Sequence, residues 1–171
     1  MTDIPGEAQH PTFDAAVRRR ETQVLRIAYR MLGNWADAED VAQESFVRLH
    51  RQGVEVFPDD AALAAWLCRV TANLCLDRLR TRARWRMTEM VEMRSERTAE
   101  TETLHEERRR LLMAALTNLP ERERAALVLR EIEGLSTAET AQALGSTETT
   151  VRSQISKGLA RLRALLTKEK R

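Results

Sequence analysis

Aromatic side chains are scarce in this chain. Three tryptophans, three phenylalanines and one tyrosine make up 4% of its 171 residues. Strands draw on aromatic and β-branched side chains, so a sheet would lack its usual material. Proline and glycine are few as well, four and six. Long stretches therefore run without a breaker, and Ala, Leu, Glu and Arg, all strong helix formers, fill them. An all-α chain is expected, and a hydrophobic share of 43% is enough for a globular core.

Two cysteines leave no disulfide framework. Cys68 and Cys75 lie two helical turns apart on one predicted helix, too far to bridge, and read as small, reduced, apolar residues. His10, His50 and His105 are scattered, without ligand-like spacing to the cysteines, so no metal or other cofactor is expected. A long apolar run is lacking, which argues against membrane insertion. The opening "MTDIPGEAQHPTF" has no hydrophobic signal core, and a cytoplasmic location is expected. Convergent carboxylates or a placed nucleophile are missing too, which argues against an enzyme such as a nuclease or recombinase.

Charge is abundant at 32%, yet the formal net charge is only +2. Its distribution says more. Acid gathers in "ADAEDVAQE" (36–44) and again between residues 88 and 107, base in "DRLRTRARWR" (77–86) and beyond Thr150. Separate acidic and basic surfaces suggest two kinds of partner; solvated helix faces are the plainer alternative.

Residues 1–11 read as a flexible polar tail. A helical period starts at Phe13 and runs through Val17, Val24, Ile27, Ala28 and Met31 to Gly33, a left-handed stop. Asn34 or Asp37 caps a second helix over about 36–51, apolar along Ala38, Val41, Ala42, Phe46 and Leu49. Gly53 and Pro58 break it. A long helix follows from about Asp60, through Leu63, Trp66 or Leu67, Val70, Leu74 and Leu79, into the arginine run. Residues 88–105 lose the period and have a linker composition. Periodicity resumes near Glu106, turns at Pro120 and stops at Gly134. Two small helical domains, 12–87 and 106–168, joined by a flexible polar linker, are expected.

The last stretch, "GLSTAETAQALGSTETTVRSQISKGLARLRALL", reads as two helices around a tight turn. Ser136 and Glu139 form a capping box for the first, Ala138, Ala141 and Leu144 face inward, and Gly145 allows a sharp exit. Ser146 can cap the second helix. Its apolar stripe is Val151, Ile155, Leu159 and Leu162; opposite stand Thr149, Ser153, Ser156 and Lys157, flanked by Arg152 and Gln154. A packed rear with a front of short hydroxyls and cations suits a helix entering a DNA groove. A packed helical hairpin is the alternative. Glu148 weighs against phosphate approach or stabilises the helix start through its dipole. Gly158, a poor helix residue, points to a close approach.

Taken in order, "AYRMLGNWADAEDVAQESFVRLHR", "AWLCRVTANLCLDRLRTRARWR" and "LPERERAALVLREIEGLSTAETAQALGSTETTVRSQISKGLARLRALL" resemble regions 2 and 4 of bacterial RNA polymerase sigma factors of the extracytoplasmic-function (ECF) group. The resemblance implies a region 2 helical bundle over 12–87 and a region 4 helix-turn-helix over 106–168. It implies binding of core RNA polymerase through Asp40, Gln43 and Glu44, with Arg48 as a fourth contact. It implies that Asn73 holds a base flipped from the minus-10 element, the loop "GVEVFPDDAA" walling the pocket. Asp77 would orient neighbouring arginines, and Arg78, Arg80, Arg82, Arg84 and Arg86 would hold phosphates, though their alternation by two spreads them around the helix. Trp66 is either core or a stacking platform. Thr149, Arg152, Ser153, Ser156 and Lys157 would read the minus-35 element. Lys157-Gly158 departs from the Arg-Ala pair of many such factors. The implied partners are core polymerase, promoter DNA and an anti-sigma factor, with the free protein a monomer; the polymerase, not this chain, is the catalyst. A DNA-binding regulator that works without polymerase would account for the final helices and leave the acidic helix and Asn73 unexplained.

Overall fold

Local sequence punctuates the chain where the helices begin and end. In the computed structural model residues 12–88 and 104–168 are described, and all statements of structure below concern these. The expected tail (1–11) and residues 89–103 of the expected linker lie outside the described residues, as do 169–171 and the side chains of 86–88, 104, 105 and 168. Helix α1, Phe13–Leu32, is capped by Thr12, whose hydroxyl accepts from Ala15 N at 3.3 Å, and stops at Gly33 with φ +70°. Between the two caps offered by the sequence, Asn34 caps α2, Trp35–Gln52: its Oδ1 accepts from Asp37 N at 3.1 Å. A single 3₁₀ turn, Val54–Val56, leads to α3, Asp60–Thr88, where Asp59 Oδ1 accepts from Ala62 N at 2.7 Å.

These three helices bury apolar stripes against one another; on α3 the buried stripe runs from Leu63 and Leu67 through Cys68, Ala72, Cys75 and Leu76, while Val70, Leu74 and Leu79, expected there, are half-buried. Val24, Ile27, Ala28 and Met31 from α1 meet Ala38, Val41, Ala42 and Leu49 from α2 and Leu63, Leu67, Cys68, Ala72, Cys75 and Leu76 from α3. One polar stitch joins α2 to α3: Ser45 Oγ donates to Val41 O at 2.8 Å and lies 3.2 Å from Thr71 Oγ1, with both residues fully buried. Trp66 is partly buried and packs on Phe57, ring centroids 5.4 Å apart, which favours the core reading. Burial pushes both thiols, Cys68 and Cys75, up to about 12.

The C-terminal lobe holds α4, Leu104–Thr117; α5, Glu121–Leu127; α6, Thr137–Ala143; and α7, Glu148–Lys168. A π turn, Val128–Ile132, continues α5 and ends with Glu133 N–H bonded to Val128 O at 2.9 Å. Leu116, Leu119 and Leu127 pack on Leu159, Leu162 and Leu165 of α7. Gly158 is buried there: a Cβ at this position would stand 2.8 Å from Leu127 Cδ1 and 3.4 Å from Glu123 Cβ. Its close approach is therefore helix against helix.

The lobes are not merely tethered. One apolar core runs through both, with Ala125, Ala126, Val128, Leu129, Leu135, Ala143 and Leu144 packed among residues of α1, α2 and α3. No sequence pattern pointed to this shared core.

Candidate nucleic-acid interface

The α6–α7 pair begins with the expected capping box. Glu139 N donates to Ser136 Oγ at 3.1 Å, and Glu139 Oε2 accepts from Ser136 N at 2.7 Å. These bonds hold the Glu139 carboxyl below the usual carboxylate range. Thr140, Ala141, Ala143 and Leu144 are buried, whereas Ala138, expected inward, is exposed. It stands one position past the half-buried Thr137, outside the face made by Thr140, Ala141 and Leu144. After Gly145 (φ +56°), Ser146 N returns to Ala141 O at 2.9 Å. The cap of α7 is Thr147 rather than Ser146: Thr147 Oγ1 accepts from Thr150 N at 3.2 Å. Ser146 is already used by the exit from α6.

On α7 the two sides separate cleanly. Val151 is fully buried and Ile155, Leu159 and Leu162 are half-buried, while Thr149, Arg152, Ser153, Ser156 and Lys157 are all exposed. Short hydroxyls here let the backbone approach a groove, and the long cations reach further. Glu148 holds Arg152 Nη2 at 2.8 Å, so the acid that weighed against DNA is paired with a predicted DNA-facing cation. That pair is exposed on both sides and is worth little.

Two arginines of "LPERER" set the hairpin on its lobe, a role the sequence did not suggest. Arg122 Nη1 donates to Leu144 O at 2.7 Å, closing the end of α6. Arg124 is 6% exposed; it donates to Thr117 O at 2.5 Å and Leu119 O at 3.0 Å, at the end of α4, and also to Met31 O near the end of α1. Helix C-termini leave carbonyls without intrahelical donors, and cations suit them. A charged residue falling on the apolar stripe of α5 was the available signal.

In the N-terminal lobe, Asp40, Gln43 and Arg48 are exposed and Glu44 is half-buried. Arg48 Nε donates to Glu44 Oε1 at 2.9 Å. Asp40 Oδ2 accepts from Arg78 Nη1 at 3.2 Å, so a predicted polymerase contact and a predicted phosphate contact meet each other. Asp37 takes both Arg78 and Arg82. Arg80 and Arg84 are exposed on other faces of α3; Asp77 Oδ1 accepts from Arg80 Nη1 at 3.4 Å. The side chain of Arg86 lies outside the described residues. Asn73 is exposed, but its Nδ2 donates to Ala143 O of α6 at 3.1 Å. The acidic helix, the arginine run and Asn73 thus stand on one bundle, with the hairpin docked against it.

Two family models match this chain in the same order: sigma-70 region 2 over residues 16–85 and sigma-70 region 4 over 109–162. The ECF RNA polymerase sigma factor SigM of Mycobacterium tuberculosis is 40% identical over 157 residues, covering 90% of this chain and 76% of SigM. The chain belongs to the ECF sigma factors. The ECF sigma factor SigE of Mycolicibacterium smegmatis is 41% identical over 167 residues, 95% of this chain; the chain spans 64% of SigE's length. The fold is that of solved sigma factors. The sigma factor RpoE of Bartonella quintana, in complex with the anti-sigma factor NepR, superposes with a TM-score of 0.73 at 22% identity, covering 91% of this chain and 96% of RpoE. CnrH, in complex with the cytosolic domain of CnrY, gives 0.63 at 27% identity, covering 91% and 87%. The N-terminal bundle is accordingly called the region 2 lobe, and α4–α7 the region 4 lobe. Among the described residues no helix is long and apolar enough to cross a membrane.

Proposed function

We propose that this chain binds core RNA polymerase and directs it to promoters, with residues 12–87 reading the minus-10 element and 106–168 the minus-35 element. The linker 88–105 connects the two, and the tail 1–11 precedes them. The carrying observation is the face of α7: five exposed groups of the kind that read DNA, over a buried apolar rear. Thr149, Arg152, Ser153, Ser156 and Lys157 enter the major groove. On α2, Asp40, Gln43, Glu44 and Arg48 meet a basic surface of the polymerase. Asn73 receives a base extruded from the non-template strand, an amide being able to donate and accept along a base edge. Asp77 positions Arg80, and the arginines of 78–86 hold phosphates as the duplex opens. The chemistry of transcription stays with the polymerase, so the protein works where polymerase does, in the cytoplasm. As RpoE is found with NepR, an anti-sigma factor is the expected regulatory partner.

The test is reconstituted run-off transcription with core polymerase on fragments of the host genome. Discrete start sites that appear only with this chain support the reading, and unchanged start-site choice refutes it. In the same assay Asn73→Ala should retain polymerase binding and lose permanganate reactivity of the minus-10 region. Loss of polymerase binding instead would remove Asn73 from its assigned role.

A further inference from the structure

The end of α3 carries a side chain that the proposed function does not use. Of the three tryptophans, Trp66 packs on Phe57, and Trp35, though exposed, stands edge-on to Tyr29 and donates from Nε1 to Glu39 Oε1 at 2.8 Å. Trp85 is 63% exposed, more than any other large apolar side chain among the described residues, and none of these gives it a ring or a hydrogen-bond acceptor. Helices α2 and α3 run antiparallel: Ser45 faces Thr71, Asp40 faces Arg78 and Asp37 faces Arg82. On that register α2 begins, at Trp35, level with the end of the arginine run, and past this point α3 has no α2 beside it. Ala83, Arg84 and Trp85 are exposed on three different sides of the helix, so its end stands clear of the bundle. A single exposed apolar side chain is ordinary on a protein surface. The surroundings set this one apart: Arg80, Arg82 and Arg84 precede the ring, and Thr81 lies one turn back on its own side.

We propose that the end of α3 is a further promoter contact: Trp85 enters the minor groove of the duplex just upstream of the minus-10 element, and the arginines before it take phosphates on either side. This rests on the reading of Asn73 and the arginine run given above. Charge chooses the kind of partner. Guanidiniums around one apolar ring suit a surface on which anionic rows border an apolar strip, and duplex DNA has that arrangement, phosphates flanking sugars and base edges. Size chooses the groove. With its side chains a helix is about 10–12 Å across, too thick for a minor groove about 6 Å wide. One ring at its tip fits, and apolar wedges between base steps are a recurring minor-groove device. Spacing places the contact. Asn73 and Trp85 are separated by about 18 Å of helix axis at about 1.5 Å per residue, the rise of about five base pairs. Chain direction sets the side: α3 leads towards the region 4 lobe, which takes the upstream element, so its tip points upstream of the base that Asn73 holds. The C-terminal end of a helix repels phosphate with about half an elementary charge, which the arginine run outweighs.

The experiment uses the full chain with core polymerase on a promoter fragment recovered by the run-off assay, with 5-bromouracil replacing thymine one position at a time. Irradiation should join the DNA to Trp85, identified by peptide mass spectrometry, at positions up to about five base pairs upstream of the permanganate-reactive edge. Trp85→Ala should abolish that adduct and shorten the lifetime of the promoter complex at least about fivefold, the low end for loss of an aromatic contact with bases. Because the ring is exposed, the same variant should keep the wild-type thermal midpoint and affinity for core polymerase. Trp85→Phe should recover most of the lifetime. The groove is tested separately. Replacing adenine by 2,6-diaminopurine at those positions adds an amino group on the minor-groove side; it should shorten the wild-type complex and leave the alanine complex as it was. An opened complex without an adduct at Trp85, an alanine variant with wild-type lifetime, or a wild type indifferent to diaminopurine would each overturn the proposal. So would weaker binding of core polymerase by Trp85→Ala, which would make the ring a protein contact. A wild-type chain that forms no promoter complex refutes the functional reading itself, and this contact falls with it.

Discussion

Arg124 offers a direct test of how the region 4 lobe is held together. Its guanidinium serves three carbonyls, Met31 O, Thr117 O and Leu119 O, at the ends of two helices. Arg124→Met keeps the apolar stem and removes the fork. Two of the three bonds are buried and the third, to Thr117, is partly so. Each buried carbonyl left without a donor costs about 1–3 kcal/mol, so the loss is about 2–6 kcal/mol. Opposing this is relief of a buried charge. Burial pulls the guanidinium below its ordinary value, and Nε has no partner. Replacing a buried ion by a hydrophobe can stabilise when its partner leaves with it, but here the carbonyls belong to the backbone and stay. The net expectation is a loss of about 2–4 kcal/mol. In a chain of this length that lowers the thermal midpoint by about 5–15 °C, read by circular dichroism. Arg124→Lys keeps the charge on one point donor and should fall between the two. A methionine variant as stable as wild type would refute the reasoning, since solvent would then satisfy carbonyls that the structure seals.

Three further expectations concern separate places. Ser136→Ala should cost about 1 kcal/mol in urea unfolding; because the folded Glu139 carboxyl lies below its unfolded value, its contribution is present above the ordinary carboxylate range and fades as pH falls through the depressed value, and the alanine variant should lose that acid-side slope. At Gly158, alanine regains about 1 kcal/mol of helix propensity against overpacking of about 1–3 kcal/mol and should be mildly destabilising, while valine should cost more than about 2 kcal/mol; a neutral valine variant would deny the close α5–α7 approach. With both thiols raised to about 12, Cys68 and Cys75 should be silent to a disulfide reagent at pH 8 until denaturant is added, and prompt reaction would contradict their burial.

What the sequence made legible was local. Gly33, the Ser136–Glu139 box and the stripe of α7 could all be read because their partners lie within one or two turns. The exposed front of α7 followed from the same periodicity. Thr147 was missed because two adjacent hydroxyls compete for one cap, and the choice depends on how α6 exits. The π turn was missed because its signature is a bond shifted by one residue, with no pattern of its own. Arg122, Arg124 and Glu133 were missed for a different reason. Their partners lie 22, up to 93 and up to 110 residues away, and an amphipathic stripe says that a face is covered without saying by what. In "LPERERAALVLREIEG" charges fall on the stripe itself, which is the trace such buried contacts leave in a sequence.

The acid block at 36–44 and the base run at 77–86, which suggested two partners, meet each other through Asp37, Asp40, Arg78 and Arg82, and burial ranks the ion pairs of the described residues. Asp40 is 64% exposed against Arg78, and Glu44 is 43% exposed against Arg48. Pairs this wet are worth about 0–1 kcal/mol, so an incoming basic surface takes Asp40 from Arg78, or Glu44 from Arg48, almost without cost. Glu133, held by Arg26 and Arg30 of α1, is 1% exposed, and removing its arginines leaves a buried charge. The exposed pairs are therefore exchangeable and the sealed one structural. If α2 meets the polymerase as proposed, Asp40→Arg should slow association with core polymerase and move the thermal midpoint by no more than about 4 °C. A larger fall would make the Asp40–Arg78 pair part of the fold rather than a contact held ready for a partner.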